Sequence, residues 1–322
     1  MDRPNPSTMK PHILTTFVSV ALLLTSLRAQ EPERIRDLIY TKHDGVALTM
    51  DVFKPANPNG AGIIKIVSGG WKSNHNGISD GGWSKAGYTT FVVVHGSQPR
   101  FQVEEIVADL NRAVRFVRAN AARYGVDPMK LGVTGGSAGG HLSLMLATRG
   151  GPGNAKAADP IDRESSAVNA VACFYAPTDY LNWFADGDNA VGVGRLEAYA
   201  GAFGPKAATP EGGEALGREV SPIYWVHKGQ PPVFIVHGDA DPQVSVTQAH
   251  RFLKRCNEIG ATCELFIREG AGHGGWQEMA TEDMARMIEW FDLQLLGKQP
   301  AKPFGQGVKS GPSTPIKKPG AN

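Results

Sequence analysis

Three side chains in this sequence have the types and the order for acyl transfer: Ser137, Asp241 and His273. A serine hydroxyl is a weak nucleophile at neutral pH. It needs a base to take its proton, and the base needs a third group to orient it. Ser137 stands in Gly135-Gly136-Ser137-Ala138-Gly139, a G-x-S-x-G pentapeptide directly after a short apolar run. That pattern marks a sharp strand-to-helix turn that lifts the hydroxyl clear of a sheet, with Gly where a Cβ would collide with the neighbouring strand and helix. The serine then lies at a helix N-terminus, where free N–H groups favour negative charge. In a chain with 39 glycines the same pentapeptide also reads as a flexible loop, so its context must decide.

The other two groups arrive in the order this turn requires. Asp241 follows the apolar run Val233–Val236, within His237-Gly238-Asp239-Ala240-Asp241-Pro242, and His273 follows a second run within Gly270-Ala271-Gly272-His273-Gly274. Asp239 is the competing acid and fits better as a turn-shaping side chain. A tetrahedral intermediate also needs two pre-aimed N–H donors for its oxyanion. Ala138, the residue after the nucleophile, is one candidate. Gly69 and Gly70 in Ser68-Gly69-Gly70-Trp71 supply the other, with Gly70 preferred.

Behind these residues the elements alternate. Residues 33–54 read as two strands around a turn at His43-Asp44-Gly45, with Val46, Leu48, Met50 and Val52 at period two. Strands are expected at 63–67, 89–94, 131–134, 168–175, 233–236 and 262–267. Helices are expected at about 103–124, 138–149, 245–259 and 277–296. The first carries an apolar stripe of Val103, Ile106, Val107, Leu110, Val114 and Val117. Continuous apolar strands alternating with helices predict an α/β fold: a doubly wound, mostly parallel sheet flanked by helices, which binds ligands beyond the carboxyl ends of its strands. Ser137, Asp241 and His273 all fall there.

Composition narrows the classes. Residues 13–24 form an apolar run after Arg3 and Lys10, followed by Leu27-Arg28-Ala29. This is the pattern of a cleaved secretory signal over residues 1–29, too short for a membrane span, and it predicts a secreted or periplasmic chain with no stable membrane anchor after cleavage. The whole chain has 33 Lys and Arg against 31 Asp and Glu, and charges balance once residues 1–29 are removed. That leaves no basic face for nucleic acid. Residues 298–322, rich in Lys, Pro and Gly, read as a disordered tail. Of the three cysteines, Cys173 reads as a buried small hydrophobe, and Cys256 and Cys263 are close enough in sequence to form a short-loop disulfide. No cysteine spacing fits a metal site and no H-E-x-x-H occurs among the nine histidines, so no metal or other cofactor is implied.

Together with Asp51-Val52-Phe53-Lys54-Pro55 and Tyr124-Gly125-Val126-Asp127-Pro128, these motifs make the chain resemble the α/β-hydrolase superfamily. The likeness is to bacterial esterases related to feruloyl and acetyl-xylan esterases and to hormone-sensitive-lipase-like enzymes, and it spans residues 33–296. The resemblance implies a serine carboxylesterase acting on short acyl or aryl esters, small-molecule or polysaccharide-linked. One departure stands out: relatives carry His-Gly-Gly-Gly-Trp where this chain has Val67-Ser68-Gly69-Gly70-Trp71, so the oxyanion loop lacks its usual histidine brace. His95 is positioned to brace it from the next strand. A prolyl-oligopeptidase-like peptidase or amidase shares the order of the three residues, although the chain has no room for a propeller domain. A non-catalytic hydrolase-fold binding protein usually lacks one of them.

The resemblance also implies a cap-like insertion at about 176–230. It carries Trp183, Phe184, Tyr199, Phe203, Tyr224 and Trp225, enough aromatic surface to wall a substrate pocket or to anchor the insertion to the body. Trp183, Phe184 and Trp71 are the candidate substrate contacts. Asn74, His75 and Asn76 form a polar cluster that either meets a sugar or shapes its loop.

Overall fold

The computed structural model describes residues 31–305, together with Met1 and the backbone of residues 308–309. The signal segment expected at 1–29 and the last residues of the tail lie outside the described residues. Among the described residues nine strands form one sheet: β1 (Glu33–His43), β2 (Val46–Lys54), β3 (Gly62–Val67), β4 (Thr89–Val94), β5 (Leu131–Gly136), β6 (Ala170–Phe174), β7 (Val233–Gly238), β8 (Cys263–Arg268) and β9 (Val308–Lys309). Their spatial order is β1-β2-β4-β3-β5-β6-β7-β8-β9. β1 and β2 form an antiparallel hairpin, and β2 joins β4 antiparallel; from β4 to β9 every pairing is parallel.

The burial patterns follow this topology. β4, β6 and β7 are buried at every residue, as strands covered on both faces must be, while the edge strand β1 alternates toward solvent. The helices are α1 (Val103–Asn120), α2 (Ala138–Arg149), α3 (Ala200–Phe203), α4 (Pro210–Val220), α5 (Thr247–Ile259) and α6 (Glu282–Leu296). α1 buries the whole expected stripe, from Val103 to Val117, against one face of the sheet. α6 buries Met287, Trp290, Phe291 and Leu295 on the other face.

Three expectations are corrected. The last helix, expected from 277, is interrupted at Thr281: a 3-10 turn at Gln277–Ala280 precedes α6. The interruption lets Asp283, wholly buried, accept from Trp276 Nε1 at 2.6 Å and pair with the buried guanidinium of Arg268. The tail is not without structure from residue 298 onward. Phe304 packs on Phe234 and Trp290 with ring centroids 5.1 and 5.0 Å apart, and β9 extends the sheet beside β8. The apolar edge of Phe304 outweighs the polar composition around it. Cys256 and Cys263 are free, buried thiols; the Cys263 thiol is held well above its ordinary range, first by its hydrogen bond with Cys256 and then by burial.

Residues 176–230, between β6 and β7, contain α3, α4 and several 3-10 turns. The buried amide of Gln248 on α5 fastens the start of this segment. Its Oε1 accepts from the Thr178 and Asp179 N–H groups at 2.8 and 2.7 Å, and its Nε2 donates to the Asn182 and Trp183 carbonyls at 2.8 and 2.9 Å.

Candidate active site

Ser137 sits between β5 and α2 with φ of +54° and ψ of −123°, a conformation costly for any residue with a Cβ. The turn is over-determined. The Ser137 N–H donates to the Phe174 carbonyl at 3.1 Å, and its own carbonyl accepts from the His141 N–H at 2.9 Å. Gly135 makes the closeness possible, because a Cβ there would lie 2.5 Å from the backbone carbon and oxygen of Gly139.

The Ser137 hydroxyl is 2.8 Å from His273 Nε2, and His273 Nδ1 is 2.7 Å from Asp241 Oδ2. Residues 136 positions apart in the chain thus meet because each follows the carboxyl end of a parallel strand, β5 or β8. Asp241 Oδ1 accepts from the Gln243 and Val244 N–H groups at 2.8 and 3.0 Å, and His237 Nε2 lies 3.4 Å from Oδ2. Burial by itself would raise this carboxyl. Hydrogen bonding to His237, His273 and the Val244 amide, with attraction to His273, outweighs it and holds Asp241 well below the usual carboxylate range. Asp239 does not reach His273. It accepts from the Gly270 N–H at 2.7 Å and so ties the loop after β7 to the loop after β8. The Arg268–Asp283–Trp276 cluster fixes the far side of the histidine loop.

The ring of Tyr175, with φ of +34°, packs on His273 at 4.6 Å between centroids. Its phenol is pushed up to about 12, first by burial and then by the Asp241 charge, so it stays protonated at neutral pH. Three of the five described non-glycine residues with positive φ, Trp71, Ser137 and Tyr175, lie around the cleft that holds Ser137 or against His273 beside it.

That cleft is a cavity of about 370 Å³, lined by Ser137, Ala138 and His273, by Gly70 and Trp71 of the loop after β3, and by Trp183, Arg195, Tyr199 and Gln243 among others. Ala138 is the first residue of α2, so its N–H has no intrahelical acceptor. Across from it, Gly69–Lys72 is a tight two-residue turn. Gly70 and Trp71 have φ of +54° and +58°, and Gly69 and Lys72 exchange backbone hydrogen bonds of 2.9 and 3.0 Å. Gly69 is therefore corrected as an oxyanion donor: its N–H is spent on Lys72 and it does not line the cavity. The N–H groups of Gly70 and Trp71 have no backbone acceptor among the described residues.

The turn is held without a histidine ahead of its glycines, where Val67 and Ser68 stand. His95 does not brace it, since its Nδ1 bonds the neighbouring Gly96 carbonyl at 2.6 Å. Gln98 does so instead. Its Nε2 donates to the Gly70 carbonyl at 3.2 Å and its backbone N–H to the Trp71 carbonyl at 3.1 Å. In a trans peptide the C=O and N–H point oppositely, so holding the Gly70 carbonyl aims the Trp71 N–H away from Gln98. A second brace comes from His141 on α2. Its Nδ1 accepts from Trp71 Nε1 at 3.2 Å and its Nε2 donates to the Val220 carbonyl at 2.7 Å. A carbonyl can only accept, so Nε2 carries the hydrogen and Nδ1 keeps the lone pair that Trp71 needs. Burial lowers His141 to about 4, consistent with a neutral ring at that post.

The candidate substrate contacts divide. Trp71 is 2% exposed, packed on His141, Tyr180, Tyr199 and Phe203, and serves mainly to pin the loop. Trp183 walls the cavity, fixed by its Nε1 donating to the Gln243 carbonyl at 3.1 Å. Phe184 is corrected: it does not line the cavity but lies under the guanidinium of Arg195, at 4.1 Å. Tyr224 and Trp225 face outward, and the Asn74–Asn76 cluster caps its own turn. The residues missed from the sequence, Gln98, His141, Tyr175 and Arg195, carry no local signal apart from His141, which closes the glycine-rich motif.

The chain is similar to esterase LipQ of Mycobacterium tuberculosis, 29% identical over 212 residues, covering 66% of this chain and 48% of that protein. It is also 29% identical over 130 residues to an acetylxylan esterase of Xylanibacter ruminicola, covering 39% of this chain and 27% of that one. The chain thus spans about half the length of LipQ, or less of the other. The apo structure of Thermogutta terrifontis esterase 2 superposes with a TM-score of 0.64 at 26% identity, over 85% of this chain and 98% of that one. The family model described as BD-FAE matches residues 50–255, from β2 through the nucleophile turn into α5. On that match and on the sheet that positions the site, the chain belongs to the BD-FAE family and has the α/β-hydrolase fold.

Proposed function

We propose that this chain is a secreted serine carboxylesterase that hydrolyses short acyl or aryl esters, carbohydrate-linked acetyl or feruloyl esters among them. The observation that carries the reading is the continuous chain Ser137 Oγ to His273 Nε2 at 2.8 Å and His273 Nδ1 to Asp241 at 2.7 Å. In this mechanism His273 removes the hydroxyl proton as Ser137 Oγ attacks the ester carbonyl, and Asp241 stabilises the imidazolium that forms. The N–H groups of Ala138 and Gly70, with Trp71 beside them, receive the oxyanion. Collapse expels the alcohol, which takes the proton from His273. Water activated by the same ring then releases the acid and restores Ser137.

The small cavity, with polar and apolar lining in comparable measure, favours compact acyl groups, and the acetylxylan esterase among the relatives supports a carbohydrate-linked ester. Secretion rests on the apolar run at residues 13–24. The test is turnover of p-nitrophenyl acetate by wild type, Ser137→Ala and His273→Gln. The expected result is a loss of about 10⁴-fold or more in kcat for either variant. Turnover that survives Ser137→Ala undiminished overturns the mechanism, and preferential cleavage of a dipeptide amide by wild type favours the peptidase reading.

A further inference from the structure

Among the described residues, Arg195 is the only permanently charged side chain lining the cavity that holds Ser137 and His273. No carboxylate lies within ion-pair distance of it among the described residues, although most guanidinium groups of the chain are so paired or bonded to carbonyls. Its guanidinium is nonetheless not loose. It stacks on the ring of Phe184 at 4.1 Å, and Phe184 belongs to a knitted segment: its N–H donates to Asp188 Oδ2 at 3.0 Å, and Trp183 N–H donates to the Asp188 carbonyl at 2.9 Å. The same segment is bolted to α5 through Gln248.

Stacking uses the face of a guanidinium and leaves its in-plane N–H fork free, the geometry that matches a carboxylate bidentately. Two neutral polar ends in the lining also have no intramolecular bond among the described residues, the side-chain amide of Gln243 and the hydroxyl of Tyr199, and both can donate. A cleft that keeps two donors and one cation unspent beside a reactive serine is complementary to an anion on the substrate.

We infer that Arg195 makes this site select esters that carry a free carboxylate. The inference rests on the esterase reading above. The carboxylate can belong to the acyl group, as in the half-ester of a dicarboxylic acid, or to the alcohol, as in an acetylated hydroxy acid or acidic sugar. Arg195 acts on specificity, and the bond-breaking steps are those already described.

The full chain is assayed on two pairs of substrates, each corrected for spontaneous hydrolysis. Mono-p-nitrophenyl glutarate is compared with p-nitrophenyl valerate for the acyl side, and acetoxyacetate with ethyl acetate for the alcohol side. The anionic member of at least one pair is expected to have kcat/KM about 10-fold above its neutral partner, chiefly through KM, with the ratio falling as NaCl is raised. In Arg195→Gln that ratio collapses toward one, and Arg195→Lys restores part of it because charge returns without the fork. The pair that shows the preference tells which side of the ester carries the carboxylate. Equal kcat/KM within both pairs, or a preference that persists in Arg195→Gln, overturns the inference while leaving the esterase reading standing. Absence of turnover of all four esters overturns both.

Discussion

The two halves of the candidate active-site cleft are built by opposite means. On one side, the nucleophile turn is local: five consecutive residues set its shape, and Gly135 admits the backbone of Gly139 at a distance no Cβ would allow. On the other side, the Gly69–Lys72 turn is local only in its closure. Its orientation comes from Gln98, 28 residues away, and from His141, 70 residues away. Both halves hold non-glycine residues at positive φ, Ser137 at +54° and Trp71 at +58°. The first is stabilised mainly by its own neighbours, with one hydrogen bond from the Ser137 N–H to the Phe174 carbonyl of the adjacent strand; the second is stabilised by aromatic packing and hydrogen bonds brought in by the fold. A site can thus carry the same strain on a short-range and a long-range footing, and the two footings should fail differently.

The sharpest way to break the comparison is at the local half. Gly135→Ala puts a Cβ 2.5 Å from backbone atoms that cannot rotate away, so the variant is expected to lose more than about 3 kcal/mol of stability, with activity falling beyond detection. Urea unfolding and turnover of p-nitrophenyl acetate measure both. Retained stability with full activity would mean the turn is not set by that contact.

The long-range half should give way more gently and in one kinetic parameter. Gln98→Ala removes the donor on the Gly70 carbonyl, and Trp71→Phe removes the donor to His141. Each is expected to lower kcat about 10- to 100-fold with KM nearly unchanged, because an oxyanion donor acts only once charge has developed. Stability should change by roughly 1 kcal/mol in each. Equal losses in KM would place these residues in ground-state binding instead.

A change of pH tests the joint between the halves. Burial lowers His141 and His95 from 6.5 to about 4, so the unfolded chain binds more protons than the folded one across that interval. Their contribution to stability is therefore full above pH 6.5 and is lost as pH falls toward 4, at about 2 kcal/mol for each histidine by pH 5. Protonating His141 Nδ1 also removes the acceptor for Trp71. Urea midpoints at pH 7 and pH 5 read this directly, and a flat profile would contradict the buried neutral rings.

The same contrast explains how much of the molecule was legible in its sequence. The strand and helix order could be read because buried parallel strands are continuous apolar runs, and the order placed Asp241 and His273 beside Ser137 despite their separation. The elbow could be read because its glycines answer to sterics within the motif. Gln98, His141 as a brace, and Arg195 on its Phe184 platform could not be read, since each acts through a partner that only the folded chain supplies. Gly69 misled for a related reason: the sequence offers two adjacent glycines, and only the closed turn shows which N–H is consumed. Phe304 misled because one aromatic in a polar tail is enough to dock it on Phe234 and Trp290.

The central claim is that Ser137 is the nucleophile and that His273 activates it. Its most direct measurement is the mass of the full chain after exposure to paraoxon, followed by peptide mapping. The account predicts one diethyl phosphoryl group per chain, on the peptide bearing Ser137, appearing in step with loss of esterase activity and strongly slowed in His273→Gln. A label on another residue, or full activity in a chain stoichiometrically labelled at Ser137, would contradict it.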